Sequence, residues 1–295
     1  MPAESDFISW IRAQQSCDDL VRLPAGDDLA ILDWPPNDLL LIGVDQVLDG
    51  VHFDSTLHSP RAIGRKVMNR NLSDCAAMGC LPVAAVGTVA LPRHAGLDYA
   101  KELYLGLRDA ADLYHCRLVG GDTGSWDGKL VLTVTILGSS GGIEPVTRKG
   151  ARPGDDIYVT GPLGGSILGR HMTFEPRVHL GRRLATPGTV TAMIDISDGL
   201  SRDLGQICEQ SKVGAVIDGD LVPIHDDVCR LPPDGLTPLE HALQDGEDYE
   251  LLFSSSSSIG SDATRIGRIV AEPGMWLMRD GMSEPLRPMG WEHAL

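Results

Sequence analysis

Aspartates recur where an apolar run or a glycine pair breaks off, and their placement restricts the fold more than any other feature of this 295-residue chain. Gly26-Asp27-Asp28 precedes a short apolar strand, and Asp45 follows the apolar run 39–44. Asp122 sits in Gly120-Gly121-Asp122-Thr123 after the strand pattern 116–119. Asp74 belongs to Asn71-Leu72-Ser73-Asp74 on a helical pattern, and Asp195-Ile196-Ser197-Asp198-Gly199 leads into another helix. Carboxylates at strand ends and turns can approach one another without entering a dry core, but like charges so gathered are costly unless a cation neutralises them. Magnesium suits such a set, because it takes carboxylate oxygen, keeps several waters and bridges substrate phosphates. A set that converged would therefore imply metal.

Each motif alone has a plainer reading. Gly-Asp-Asp is commonly a turn. Ser197 or Asp198 would equally well cap the following helix. Gly-Gly-Asp-Thr is either a phosphate contact or an ordinary tight turn. Asp74 would face solvent by default, yet Asn71, Ser73, Ala76 and Ala77 surround it with a polar, small-residue face that suits close approach of a ligand.

Around these motifs, strand patterns at 39–44, 83–91 and 129–137 alternate with helical patterns at 61–78 and 99–114. The turn-rich, basic segment 139–155 predicts a boundary between domains 1–148 and 149–295. Beyond it, strands are expected at 156–160, 215–218 and 250–253, with a helix over 198–211. The serine run 254–258 reads as a flexible loop. Strand and helix interleave without regular βαβ units, so the fold class is α+β with mixed sheets.

Composition excludes several classes of function. With 25 basic against 41 acidic residues and a net charge of −16, no nucleic-acid or anionic-membrane partner is expected. The six cysteines are scattered without a C-x-x-C pair, as in a reducing compartment. The first residues show no signal-peptide pattern and no run approaches the ~20 apolar residues of a membrane span, so a soluble, cytoplasmic protein is expected.

The order and spacing of the motifs together resemble those of thiamine-monophosphate kinase, within the aminoimidazole-ribonucleotide-synthetase-like superfamily. The resemblance rests on Gly26-Asp27-Asp28-Leu29-Ala30, Asp45 with Gly50-Val51-His52-Phe53, Asn71-Leu72-Ser73-Asp74, and Gly120-Gly121-Asp122-Thr123. It continues through Gly150-Ala151-Arg152-Pro153-Gly154-Asp155, Ile194-Asp195-Ile196-Ser197-Asp198-Gly199-Leu200 and Gly246-Glu247-Asp248-Tyr249-Glu250-Leu251, and so spans nearly the whole chain. It implies two α/β domains, with an N-terminal sheet that joins a second subunit's in a dimeric barrel. It further implies ATP as co-substrate, thiamine monophosphate as acceptor and several magnesium ions. By the same resemblance Asp28, Asp45, Asp74, Asp122, Asp195 and Asp198 are metal ligands. Tyr104, Gly121, Asp122, Arg148 and Ser197 are ATP contacts, and His52, Glu247 and Trp291 are substrate contacts.

The acceptor is a phosphate already anionic at neutral pH, so no side chain is needed as a general base and direct, metal-assisted in-line transfer is expected. Alone, His52 reads as a structural histidine and Trp291 as packing for a chain end. Three places depart from the family pattern. Gly43 and Val44 stand where Ser or Thr precede the metal-binding aspartate, and Asp245 replaces a common glycine. Segment 162–180 is short, with Arg170 to Arg177 in place of a longer helix, which predicts a looser substrate side. The alternatives are a non-catalytic nucleotide- or thiamine-phosphate-binding homologue and another ATP-using enzyme of the superfamily.

Overall fold

The computed structural model describes residues 4–24 and 30–292. The chain divides into two compact units, Met1–Leu72 with Leu81–Gly142, and Ser73–Cys80 with Ile143–Leu295.

In the first unit the elements run α1 (Glu4–Arg12), β1 (Val21–Leu23), β2 (Ile31–Leu32), β3 (Leu40–Leu48), α2 (Pro60–Met78), β4 (Leu81–Pro92), α3 (Gly96–Asp112), β5 (Arg117–Trp126) and β6 (Val131–Ser139). The last turns of α2, from Ser73, belong to the second unit. The sheet has the order β3-β6-β4-β5; β4 and β5 are parallel and the other pairs antiparallel. Along β6 burial alternates, with Leu132, Val134 and Ile136 covered, as the two-residue period of a half-buried strand requires. In α3 the buried residues Ala100, Leu103, Tyr104, Leu107, Ala110 and Ala111 recur at three and four, one apolar stripe on a helix.

Two expectations about strand ends are corrected. Asp45 does not close its strand: β3 continues to Leu48, and Asp45 pairs with Val134 in mid-ladder. Nor do Gly120 and Gly121 end theirs, since β5 runs on to Trp126 with Asp122 opposite Thr88. Glycine serves there for close approach and not for turning, because a Cβ on Gly121 would lie 2.0 Å from the Gly87 carbonyl oxygen.

The second unit adds β7 (Asp156–Val159), α4 (Arg170–Thr173), α5 (Val178–Ala185), β8 (Val190–Asp195), α6 (Leu200–Ser211), β9 (Gly214–Asp218), α7 (Pro238–Gln244), β10 (Leu251–Ser255), β11 (Thr264–Val270), β12 (Gly274–Arg279) and β13 (Met282–Pro285). Its sheet has the order β13-β12-β9-β11-β7-β10-β8, with β9 and β12 parallel and the remaining pairs antiparallel. Ile157, Ile194, Leu204, Ile207, Ile217 and Leu252 form its core with residues of α7. Ser254 and Ser255 are not loop residues as the composition of 254–258 predicts. Both are buried in β10, where the Ser254 hydroxyl lies 2.7 Å from that of Thr191. Inward serines are tolerated because neighbours satisfy them.

No helix among the described residues is long and apolar enough to cross a membrane.

Candidate active site

Within the second unit, residues from distant motifs meet at the carboxyl end of β8. Asp195 is the last residue of that strand, is buried, and accepts a 2.6 Å hydrogen bond from the Ser73 hydroxyl of α2. Ser73 reaches it because α5 carries glycine at the crossing; a Cβ on Gly181 would stand 2.2 Å from the Ala76 carbonyl oxygen. Asp74, the next residue along α2, is half-buried. After β8, the chain through Ser197 and Asp198 is pinned on two sides. The Glu247 amide donates to the Ser197 carbonyl at 2.7 Å, and the Trp291 amide donates to the Asp198 carbonyl at 3.0 Å. Trp291 keeps half its surface exposed. Arg148 donates to the Gln206 side-chain oxygen at 2.5 Å, and Gln206 in turn donates to Asp203 at 3.4 Å. Backbone bonds thus tie Glu247 and Trp291 to the segment that follows β8, and Arg148 is tied to α6 through Gln206.

The first unit carries Asp45, Gly121 and Asp122 on its sheet, Tyr104 on α3 and His52 in the turn after β3. Tyr104 on α3 is mostly buried, accepts from the Gln15 amide at 3.2 Å, and meets the Trp10 ring edge-on at 5.4 Å. Burial raises its phenol above the ordinary tyrosine pKa. Tyr104, Gly121 and Asp122 line a cavity of about 270 Å³ together with Phe7, Ile11 and Arg12 of α1. Asp45 faces α2, where Arg70 holds it in a forked pair with nitrogen–oxygen distances of 3.1 and 3.3 Å. The register places Asp45, Val134, Gly87 and Gly121 in one row across the four strands. Asp45 and Asp122 therefore lie at opposite edges, three strand spacings or about 14 Å apart along the sheet. One sheet does not bring these two to a common ion.

His52 sits in the turn after β3. Its Nδ1 accepts from the Leu48 amide at 3.1 Å, which leaves the neutral ring's proton on Nε2. Its carbonyl accepts from fully buried Lys66 at 2.5 Å. Asp28 lies outside the described residues.

The donor chemistry fits magnesium. Among the described residues no three His, Cys, Asp or Glu side chains gather as a ready-made metal cage. Magnesium does not need one, since one or two carboxylates with phosphate oxygen and water suffice. Asp195 and Asp198 nevertheless lie close enough to Asp203 to act on it. Burial first, then these two charges, push the Asp203 carboxyl up to about 8. That mutual repulsion is what a bound cation relieves.

Asp248 is the second carboxyl with a strongly raised pKa. Burial outweighs the neighbouring Arg170 and lifts it to about 7. A folded-state pKa above the unfolded value means that the native chain holds a proton which the unfolded chain has released. The corresponding stability is complete below about pH 4 and is lost as pH climbs through about 7. Asp248→Asn keeps an oxygen for the Gly164 amide and Arg170 but removes the titration. Urea midpoints measured from pH 5 to pH 8 are expected to fall more steeply for the unmodified chain than for this variant; parallel curves would count against it.

Comparisons with known proteins bear on the chain as a whole. The N-terminal domain of AIR synthase related protein matches residues 26–140, and its C-terminal domain matches residues 168–261. The thiamine-monophosphate kinase of Rhodopirellula baltica is 39% identical over 309 residues, covering 99% of this chain and 97% of that protein. The chain belongs to the thiamine-monophosphate kinase family. A crystal structure of this kinase from Stenotrophomonas maltophilia has a TM-score of 0.80 at 33% identity, covering 95% of this chain and 97% of that one. A structure described as AaThiL complexed with AMPPCP and TMP has a TM-score of 0.79 at 29% identity, over 100% of this chain and 99% of that one.

Membership in that family directs attention to residues that carry no motif of their own. Arg70, Gln206 and Gln15 touch Asp45, Arg148 and Tyr104 respectively. None has a local signal, because each matters only through a partner at least 25 residues away in the chain. The short segment 162–180 is not loose. Gly164, Gly165 and Ser166 all donate hydrogen bonds to residues 245–248. Asp245, the replacement for a common glycine, is the acceptor for Gly165 at 2.7 Å.

Proposed function

We propose that this protein transfers the γ-phosphoryl group of ATP directly to the phosphate of thiamine monophosphate, giving ADP and thiamine diphosphate. The observation that carries the reading is the meeting of Ser197 and Asp198 with Glu247 and Trp291 across backbone bonds of 2.7 and 3.0 Å. In this reading a nucleotide contact, Ser197, and two acceptor contacts, Glu247 and Trp291, come from segments that are hydrogen-bonded to one another. The name of its relatives, and a homologous structure described as a complex with AMPPCP and TMP, support the same chemistry.

In this reading the bond from the γ-phosphorus to the leaving oxygen of ADP breaks as the acceptor phosphate oxygen attacks in line. The acceptor carries negative charge at neutral pH, so no proton need be removed. Arg148, oriented by Gln206, supplies charge-assisted donors to the polyphosphate. Ser197 adds a hydroxyl, and the nucleoside lies by Tyr104 and Gly121 in the 270 Å³ cavity of the first unit. Glu247 receives the cationic or amino portion of thiamine, His52 offers a second polar contact, and the flat face of Trp291 packs on a ring. Asp28, Asp45, Asp74, Asp122, Asp195 and Asp198 would hold magnesium, which when bound offsets the repulsion between the phosphates.

The working form is a homodimer. Leu40, Ile42 and Val44 project exposed apolar side chains from β3, itself an edge of the four-stranded sheet. A long apolar edge of that kind calls for a partner. A second copy closing both sheets into a barrel answers that need.

Incubation of the pure protein with ATP, Mg²⁺ and thiamine monophosphate is expected to yield thiamine diphosphate and ADP in equal amounts. Binding of both ligands with no product over hours would reject transfer and leave a binding protein.

A further inference from the structure

One short loop of the second unit holds two side-chain-bearing residues in the left-handed backbone region. Gly246, Glu247 and Tyr249 have φ of 75°, 51° and 53°. Glycine adopts this left-handed region freely, but a residue with a side chain is strained there by about 1 kcal/mol or more. Two such residues within three persist only where their surroundings leave no alternative.

The surroundings are dense. Tyr249 is almost wholly buried and its ring stacks on Phe174, with centroids 3.8 Å apart and planes 17° from parallel. Its amide donates to the Ile196 carbonyl at 2.8 Å. The neighbouring Asp248 side chain is fully buried and accepts from the Gly164 amide at 3.0 Å and from Arg170 at 3.1 Å. Ser166 donates to the Gly246 carbonyl at 2.7 Å, and Arg177 grips Glu250 at 2.9 and 2.5 Å. Segment 164–177 thus fastens the loop residue by residue. What the strain achieves is a Tyr249 hydroxyl that donates to Glu247 Oε1 at 3.2 Å, from a ring that has no room to turn.

We propose that Tyr249 is a positioning residue for Glu247, its hydroxyl fixing the plane of the carboxylate so that the other oxygen points at the cationic or amino portion of the acceptor. The proposal rests on the reading of Glu247 as an acceptor contact. The left-handed loop is then the device that lets one turn present Glu247 outward while Tyr249 supports it from within.

Tyr249→Phe keeps the ring, its burial and the stack on Phe174 and deletes only the hydroxyl. Because the hydroxyl acts on the acceptor only through Glu247, its loss predicts the effect of one ordinary hydrogen bond, a rise of about 3- to 10-fold in KM for thiamine monophosphate. KM for ATP should stay constant, kcat should move less than the acceptor KM, and the melting temperature should hold. Glu247→Gln should raise the acceptor KM further, and adding Tyr249→Phe to it should have no additional effect, since the two act through one interaction. If Glu247→Gln leaves the acceptor KM unchanged, the reading of Glu247 fails and the proposal falls with it. If Glu247→Gln raises it but Tyr249→Phe does not, the acceptor contact stands and positioning by Tyr249 is wrong. A Tyr249→Phe variant that melts earlier and weakens both substrates equally, or whose effect persists when combined with Glu247→Gln, would reduce Tyr249 to packing.

Discussion

Asp122→Asn is expected to lower the rate of thiamine diphosphate formation by about 10²- to 10³-fold without unfolding the chain. Asp122 is exposed on edge strand β5, where the ladder to β4 is made by backbone groups and not by its carboxylate. Exchange for an isosteric amide at such a position changes stability by no more than about 0.5 kcal/mol. The effect on turnover comes from charge. A neutral amide oxygen still offers a lone pair, but it holds Mg²⁺ more weakly than a carboxylate does, and the cation is what would offset the repulsion when two phosphates are brought together. The loss should appear in single-turnover formation of thiamine diphosphate at saturating ATP, and a higher Mg²⁺ concentration should be needed for half-maximal rate. Equal turnover in the variant would refute the account of the aspartates as a metal scaffold.

The same residue shows where sequence reading works and where it stops. That the backbone at Gly120-Gly121 comes close to something is legible, because paired glycines inside a strand pattern mark such a place. What it approaches is not legible. The contact is Gly87 of the adjacent parallel strand, and parallel pairing has no local signature. The pattern therefore predicts that β5 ends at Val119, whereas pairing with β4 carries it on to Trp126. Asp45 fails for the related reason that β3 continues through a polar residue, held in register by β6 and covered by Arg70.

In the second unit the apolar runs of β7 and β10, adjacent strands inside the sheet, are plain in the sequence, since a strand covered on both faces has no polar side. Helix α7 has a capping box from Thr237 to Glu240 with Pro238 at its start. That local signal is present in the sequence, although the motif pattern alone places no helix there. Strands β11, β12 and β13 alternate too weakly for such a reading. The site divides in the same way. Each motif bearing a carboxylate is visible, whereas the supports that Ser73 gives Asp195 and Gln206 gives Arg148 depend on which segments the fold makes neighbours. The short segment 162–180 reads as loose in the sequence, because its bonds to 245–248 use backbone amides that every sequence possesses.

The second large effect is expected at Gly106, where α3 meets α2 with no side chain between them. A Cβ at Gly106 would lie 2.0 Å from the Arg61 carbonyl oxygen, and one at Gly64 would lie 2.1 Å from that of Leu103. The two glycines thus set the separation of the helices, and the obstacle in each case is backbone, which cannot rotate away as a long side chain does. Gly106→Ala should gain about 1 kcal/mol of helix propensity. Overpacking against a fixed carbonyl costs about 1–3 kcal/mol and more where the clash is this deep. The clash wins, and α3 must shift as well as lose stability. Tyr104 stands two residues earlier on that helix and meets Gln15 by a 3.2 Å bond, so displacement there should also raise KM for ATP while leaving the acceptor KM alone. Gly124→Ala is the matched control, because a Cβ at that position meets nothing within 4 Å. Thermal melts should show a drop of several degrees for Gly106→Ala and almost none for Gly124→Ala. A Gly106→Ala protein as stable as the parent, with unchanged ATP dependence, would mean that the α2–α3 separation is not set by this contact.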